Sequence, residues 1–161
     1  MTCSASVRER HRWTWPRRAA LTVAALACCL GAARAESLRP FTVVGDAIPQ
    51  SLTAERGDPR QGRVVVASRE LGNCLLCHRM PLSGERFQGT LGPDLTGIGR
   101  RLSEGQIRFR VVDQSRLNPV SIMPPYYRVE GLQRVLAAYR DRPILTAEQV
   151  EDVVALLATF R

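Results

Sequence analysis

The sequence predicts a small all-α domain with long loops, and three observations predict it. Thr146-Ala147-Glu148-Gln149 reads as a capping box, and Val150, Val153, Val154, Leu157 and Phe160 follow it on one helical face. Ser103-Glu104-Gly105-Gln106 reads as a second capping box, opening a helix through about Val112. No segment gives a convincing strand pattern, and there is no repeat and no low-complexity tract.

Taken in order, residues 1–35 read as a cleaved export leader. Arg8, Arg10, Arg12, Arg17 and Arg18 precede an apolar run from Ala19 to Leu30, and Ala33-Arg34-Ala35 supplies the small-residue cleavage site after Ala35. The run is shorter than the ~20 residues that span a bilayer, so no membrane insertion is expected and the mature chain is expected in the periplasm. Lipid modification at Cys28 or Cys29, a twin-arginine signal at Arg17-Arg18 and an uncleaved anchor remain as alternatives, although Ala25-Leu26-Ala27 matches a lipobox poorly. The leader also explains the charge. The whole chain carries +8, but residues 36–161 hold 17 Arg against 14 acids, a net of +3, which gives no support for nucleic-acid binding.

Residues 36–61, with Pro40, Gly45, Pro49, Gly57 and Pro59, read as an irregular N-terminal arm, and 62–161 as the folded domain. Val64, Val65, Ala67 and Leu71 predict a helix over 62–72 that ends near Gly72. Residues 80–101 are rich in Gly and Pro and read as loop. A further helix is predicted over 131–140.

The chemistry concentrates in Cys74-Leu75-Leu76-Cys77-His78. Two thiols on one turn followed by a histidine form the attachment signature of c-type haem, with Cys74 and Cys77 as thioethers to the vinyl groups and His78 as proximal iron ligand. A zinc site needs four ligands, and beyond the leader there is no other Cys or His. A thioredoxin-like pair wants a βαβ setting, which is not visible here. A disulfide between Cys74 and Cys77 would leave His78 unexplained. The sequence therefore predicts a small helical domain wrapped around one covalent haem c, in which the haem supplies much of the apolar core.

The sixth iron position follows by elimination. With no second histidine, the candidates are Met80 and Met123. Met80 lies too close to His78 to reach the other haem face. Met123 is followed by Pro124-Pro125, which stiffens its loop, so Met123 is the expected axial ligand; the competing reading is an ordinary core or loop methionine. Sulfur opposite histidine favours Fe(II) and suits electron transfer. In Gly92-Pro93-Asp94-Leu95, the Pro93 carbonyl is the expected acceptor for the outer N–H of His78, against the reading of a plain Gly-Pro turn. Arg100-Arg101 is equally a partner for haem propionates or a solvated face. Tyr126 and Tyr127 either pack on the haem edge or anchor the loop.

These segments together resemble the SoxX family of sulfur-oxidation cytochromes c. The resemblance rests on Gly72-Asn73-Cys74-Leu75-Leu76-Cys77-His78, Gly89-Thr90-Leu91-Gly92-Pro93-Asp94-Leu95-Thr96-Gly97, Arg110-Val111-Val112-Asp113 and Asn118-Pro119. It extends through Ile122-Met123-Pro124-Pro125-Tyr126-Tyr127-Arg128 and the tail from Pro143 to Val154. Leu76 departs from it, being bulky where a smaller residue is usual. The resemblance implies a class I cytochrome c fold, haem thiols at Cys74 and Cys77, and axial ligands at His78 and Met123. It also implies a complex with a SoxA-like haem protein, which joins thiosulfate to a cysteine of a SoxYZ-like carrier, and a downstream electron acceptor. The chain would then be the electron-accepting subunit of an L-cysteine S-thiosulfotransferase. Both thiols being taken by haem, the chain offers no nucleophile of its own. A freely diffusing periplasmic monohaem carrier is the alternative; a haem-based sensor or peroxidase-like domain, with an open sixth position, is the second.

Overall fold

A computed structural model describes residues 38–161, which belong to a unit running from Ala35 to Arg161. The leader, its cleavage site, Cys28 and Cys29 lie outside the described residues. Among the described residues there are four α-helices: α1 Pro59–Ala67, α2 Ile98–Arg101, α3 Glu104–Asp113 and α4 Ala147–Thr159. Single 3-10 turns cover Cys74–Leu76, Gln114–Arg116 and Ala137–Tyr139. Among the described residues there is no strand, only an isolated bridge between Val44 and Ala47, so the all-α expectation holds.

Both predicted capping boxes form. Ser103 Oγ accepts from Gln106 N–H at 3.3 Å while Gln106 Oε1 accepts from Ser103 N–H at 2.9 Å. Thr146 and Gln149 repeat the exchange at 3.2 and 2.9 Å. These caps satisfy N–H groups that the first turn leaves without partners. Helix α1 departs from the predicted 62–72. It starts earlier, because the Asp58 carboxylate accepts from Arg60 N–H at 2.8 Å and Pro59 occupies the first helical position. It ends earlier, because Ser68 turns extended and its hydroxyl captures the N–H groups of Glu70 and Leu71. Its buried face is Val65 and Val66, whereas Val64 is exposed.

The helix predicted over 131–140 is absent apart from the turn at Ala137–Tyr139. Gly131 and Arg134 adopt φ of 68° and 55°, in the left-handed region that stops a helix.

Helices α1 and α4 meet backbone to backbone. A Cβ at Gly62 would overlap the Asp152 carbonyl, and one at Gly57 the Glu151 carbonyl, so only glycine permits the approach. Val65, Val66, Val150, Val153, Val154 and Leu157 fill the seam with Ile48 and Leu52. The segment read as an irregular arm therefore contributes Ile48 and Leu52 to the core. A buried ion pair fixes them. Arg108 of α3 grips Glu151 of α4 through two N–H···O bonds of 2.7 and 2.8 Å, donates to Ile48 O at 2.7 Å, and Glu151 also accepts from Leu52 N–H at 2.9 Å. Each charge is only 4% exposed, and these added bonds are what make such burial tolerable.

Candidate haem site

Between α3, the C-terminal half of α4 and the loops that follow Cys74 and Gln114 lies a cavity of about 740 Å³. Leu95, Ile98, Leu102, Ile107, Val111 and Leu157 give it a largely apolar wall. Its size falls within the roughly 300–1,000 Å³ usual for cofactor pockets. Cys74, Cys77, His78, Pro93 and Met123 all line it, so the structure brings every sequence-predicted site residue to one cavity.

The haem-motif turn is set by Asn73, which takes φ 47° and lets the chain enter the 3-10 turn Cys74–Leu76. The N–H groups of Cys77 and His78 both donate to Cys74 O, at 3.2 and 2.9 Å. That places both thiols on one turn, and they form no disulfide. Burial pushes the Cys74 thiol up to about 11, against the opposing influence of a hydrogen bond with Tyr126. A thiol held protonated at neutral pH is a poor redox nucleophile and a poor zinc ligand, since both roles need the thiolate. Among the described residues no group of three or more His, Cys, Asp and Glu converges to hold a metal ion. Leu76 points away from the cavity and is 67% exposed, which explains how a bulky residue is accommodated there.

His78 Nδ1 lies 2.7 Å from the Pro93 carbonyl oxygen. A carbonyl can only accept, so Nδ1 carries the proton and Nε2 keeps its lone pair for a metal. Gly92 is pressed against the same ring: a Cβ there would stand 2.5–2.9 Å from three of its atoms. The loop holding Gly92 and Pro93 is stitched to the motif by Gly89 N–H to Leu75 O, Gly92 N–H to Cys77 O and Leu95 N–H to Arg79 O, at 2.8, 2.8 and 2.9 Å.

The two methionines separate clearly. Met80 is outside the cavity wall and 4% exposed, with its N–H donating to Gln88 Oε1 at 2.6 Å. Met123 is half-buried on the wall, its N–H donating to Ser121 Oγ at 3.2 Å.

Of the arginine pair, Arg101 lines the cavity and Arg100 does not. Arg101 donates to Thr96 O at 2.6 Å and Asp94 O at 3.2 Å, which ties its guanidinium to the loop after Pro93. Arg110, which carries no chemical signal in the sequence beyond its place in Arg110-Val111-Val112-Asp113, also lines the wall, beside Asp46 at 3.4 Å. Tyr126 is on the wall and its hydroxyl donates to Gly72 O at 2.6 Å, while burial raises that hydroxyl above its ordinary range. Tyr127 is buried off the wall and accepts from Arg39 N–H at 2.8 Å. The tyrosines thus divide the two roles read for them: one faces the cavity and both anchor the loop.

Two thiols on one turn, an imidazole with its outer nitrogen tied, a thioether and an apolar wall form a donor set that fits covalently held haem. Among the described residues no helix is long and apolar enough to cross a membrane. No family model and no curated protein matches the chain. Among solved structures, a chain in the crystal structure of SoxXA from P. pantotrophus is 34% identical, with a TM-score of 0.71 over 78% of this chain and 98% of that one. At that identity and coverage the chain belongs to the family of that SoxXA chain, with a SoxX-like cytochrome c fold.

Proposed function

We propose that this chain is the haem c electron-transfer subunit of a SoxAX-type complex that couples thiosulfate to a cysteine of a SoxYZ-like carrier. The observation that carries the reading is likeness to a SoxXA chain over 98% of its length, in a chain whose Cys74, Cys77, His78 and Met123 share one cavity. Cys74 and Cys77 would hold the haem by thioethers, His78 and Met123 would supply the two ligands to its iron, and the Pro93 carbonyl orients the imidazole. With haem bound, the apolar wall and the Met123 sulfur would favour the reduced iron. Forming the S–S bond releases two electrons and the thiol proton; haem bound here supplies a one-electron store. A SoxA-like haem protein therefore contributes the second redox centre, and a downstream acceptor drains both. The haem thiols are consumed by attachment, so the isolated subunit is not catalytic. It acts in the periplasm after removal of residues 1–35.

The test is to purify the mature haem protein and assay thiosulfate-dependent conjugation to a carrier cysteine with and without a SoxA-like partner. Activity is expected only with the partner. Turnover by the isolated subunit, or no stable association, would favour a freely diffusing carrier instead.

A further inference from the structure

We infer that Asp113 and Arg128 are positioning residues that hold Met123 at the iron by clasping the two ends of its loop; this rests on the proposed axial role of Met123. The segment between them, 114–127, forms the Met123 side of the cavity, with Gln114, Asn118, Ser121 and Met123 on the wall. Val120 and Ile122 also line the cavity, and Leu117 and Met123 pack partly against the core. The two ends of the segment are tied by hydrogen bonds. Arg128 Nη1 donates to Asp113 Oδ2 at 2.7 Å and lies 3.3 Å from Ser115 Oγ, while Asp113 Oδ1 accepts from Ser115 O–H at 2.5 Å and N–H at 3.1 Å. Asp113 is 1% exposed, so its charge depends on these partners.

Beside the clasp, the N–H of Tyr127 donates to Val112 O and that of Tyr126 to Val111 O, at 3.2 and 3.4 Å. These are carbonyls that the end of α3 leaves unpaired. The returning chain is thus docked on α3, and Met123 is suspended between two fixed ends, as in a compact loop whose ends are close. Opening one end multiplies the positions available to the sulfur, so its local effective concentration at the iron falls. Arg128 Nε is buried without a hydrogen-bond partner, so the guanidinium is held in place by the Asp113 contact and not by a wider network at that atom.

The experiment uses the mature haem protein, read by the far-red Met–iron band, the rate of cyanide binding to the ferric form and the melting temperature. Met123→Ala should abolish the band. Arg128→Gln should keep the fold and haem but weaken the band and speed cyanide binding roughly tenfold to a hundredfold, the scale of one charge-assisted hydrogen bond. Ser115→Ala, which removes one partner of Asp113, should shift the rate in the same direction by less, and carries the test if Arg128→Gln does not mature. Val154→Ala serves as control. It opens a hole in the α4 core away from the cavity wall, and should lower the melting temperature with little effect on cyanide binding. If Val154→Ala speeds cyanide as much as Arg128→Gln at equal loss of stability, or if Arg128→Gln and Ser115→Ala leave the rate unchanged, the clasp is overturned. If Met123→Ala keeps its band, the axial reading falls instead, and the two failures are told apart.

Discussion

In the proposed haem site, the wall that carries His78 and the wall that carries Met123 hold their side chains by different means. Around His78, backbone bonds from Gly89, Gly92 and Leu95 tie a glycine-rich loop to the motif turn, and Gly92 and Pro93 close on the ring itself. Close packing leaves that imidazole one orientation. Around Met123 the restraint is set at the ends of the loop, by Arg128 on Asp113 and by the N–H groups of Tyr126 and Tyr127 on carbonyls of α3. A ligand fixed by contact and a ligand fixed by tether respond differently to perturbation. The first fails by collision and loss of fold, the second by exchange.

The largest effect should come from breaking the collar. Gly92→Ala places a methyl 2.5–2.9 Å from His78 ring atoms, on a backbone held by the Cys77 carbonyl, so the ring has to move and its bond to Pro93 O is lost. Overpacking of this kind costs about 1–3 kcal/mol. Lower haem yield, a lower melting temperature and a changed ferric spectrum are expected together; a variant with normal yield and spectrum would mean that the collar is not restrictive.

Next comes the contrast between the methionines. Met80→Ala removes a core side chain and should cost about 2–5 kcal/mol in thermal unfolding while leaving the Met–iron band in place. Met123→Ala should do the reverse, abolishing the band and lowering the potential with a smaller stability change, because the side chain is only half-buried. Parallel melting curves and redox titrations of the two variants check this, and an exchange of their behaviours would transfer the axial role to Met80.

How far the sequence could be read follows from the range of the interactions. The capping boxes at Ser103 and Thr146 were legible because each is a bond between residues three apart. The haem motif and the stripe on α4 are equally local. Helix α1 starts and ends earlier than periodicity alone predicts: Asp58-Pro59 is a local start signal, and the Ser68 hydroxyl competes for N–H groups that periodicity assigns to the helix. The burial of Ile48 and Leu52 had no local signal at all, since it depends on Arg108 meeting Glu151, 43 positions away, and on Leu52 reaching the same carboxylate 99 positions away. Asp113 and Arg128 were visible as members of two motifs, but their pairing needs the return of the chain across the cavity.

The smallest effect sharpens the comparison at the edge of the collar. Asp94, next to Pro93, accepts from Thr96 N–H at 2.7 Å, and its carboxyl is held below the ordinary 3.8 chiefly by that backbone bond, with Arg79 and Arg101 adding charge. A depressed folded-state value means the contribution to stability is fully present above pH 3.8 and is lost as pH falls through the lower folded value. The carboxylate is fully solvated, so the effect is slight. Asp94→Asn should therefore melt slightly below wild type at neutral pH, and the gap should close as pH is lowered past 3.8. The His78 spectrum should not change across that range, because the bond that orients the ring runs through the Pro93 carbonyl, which does not titrate. A gap that instead widens in acid, or a His78 spectral change that tracks the Asp94 titration, would show that the collar depends on this carboxylate and is less self-sufficient than its backbone bonds imply.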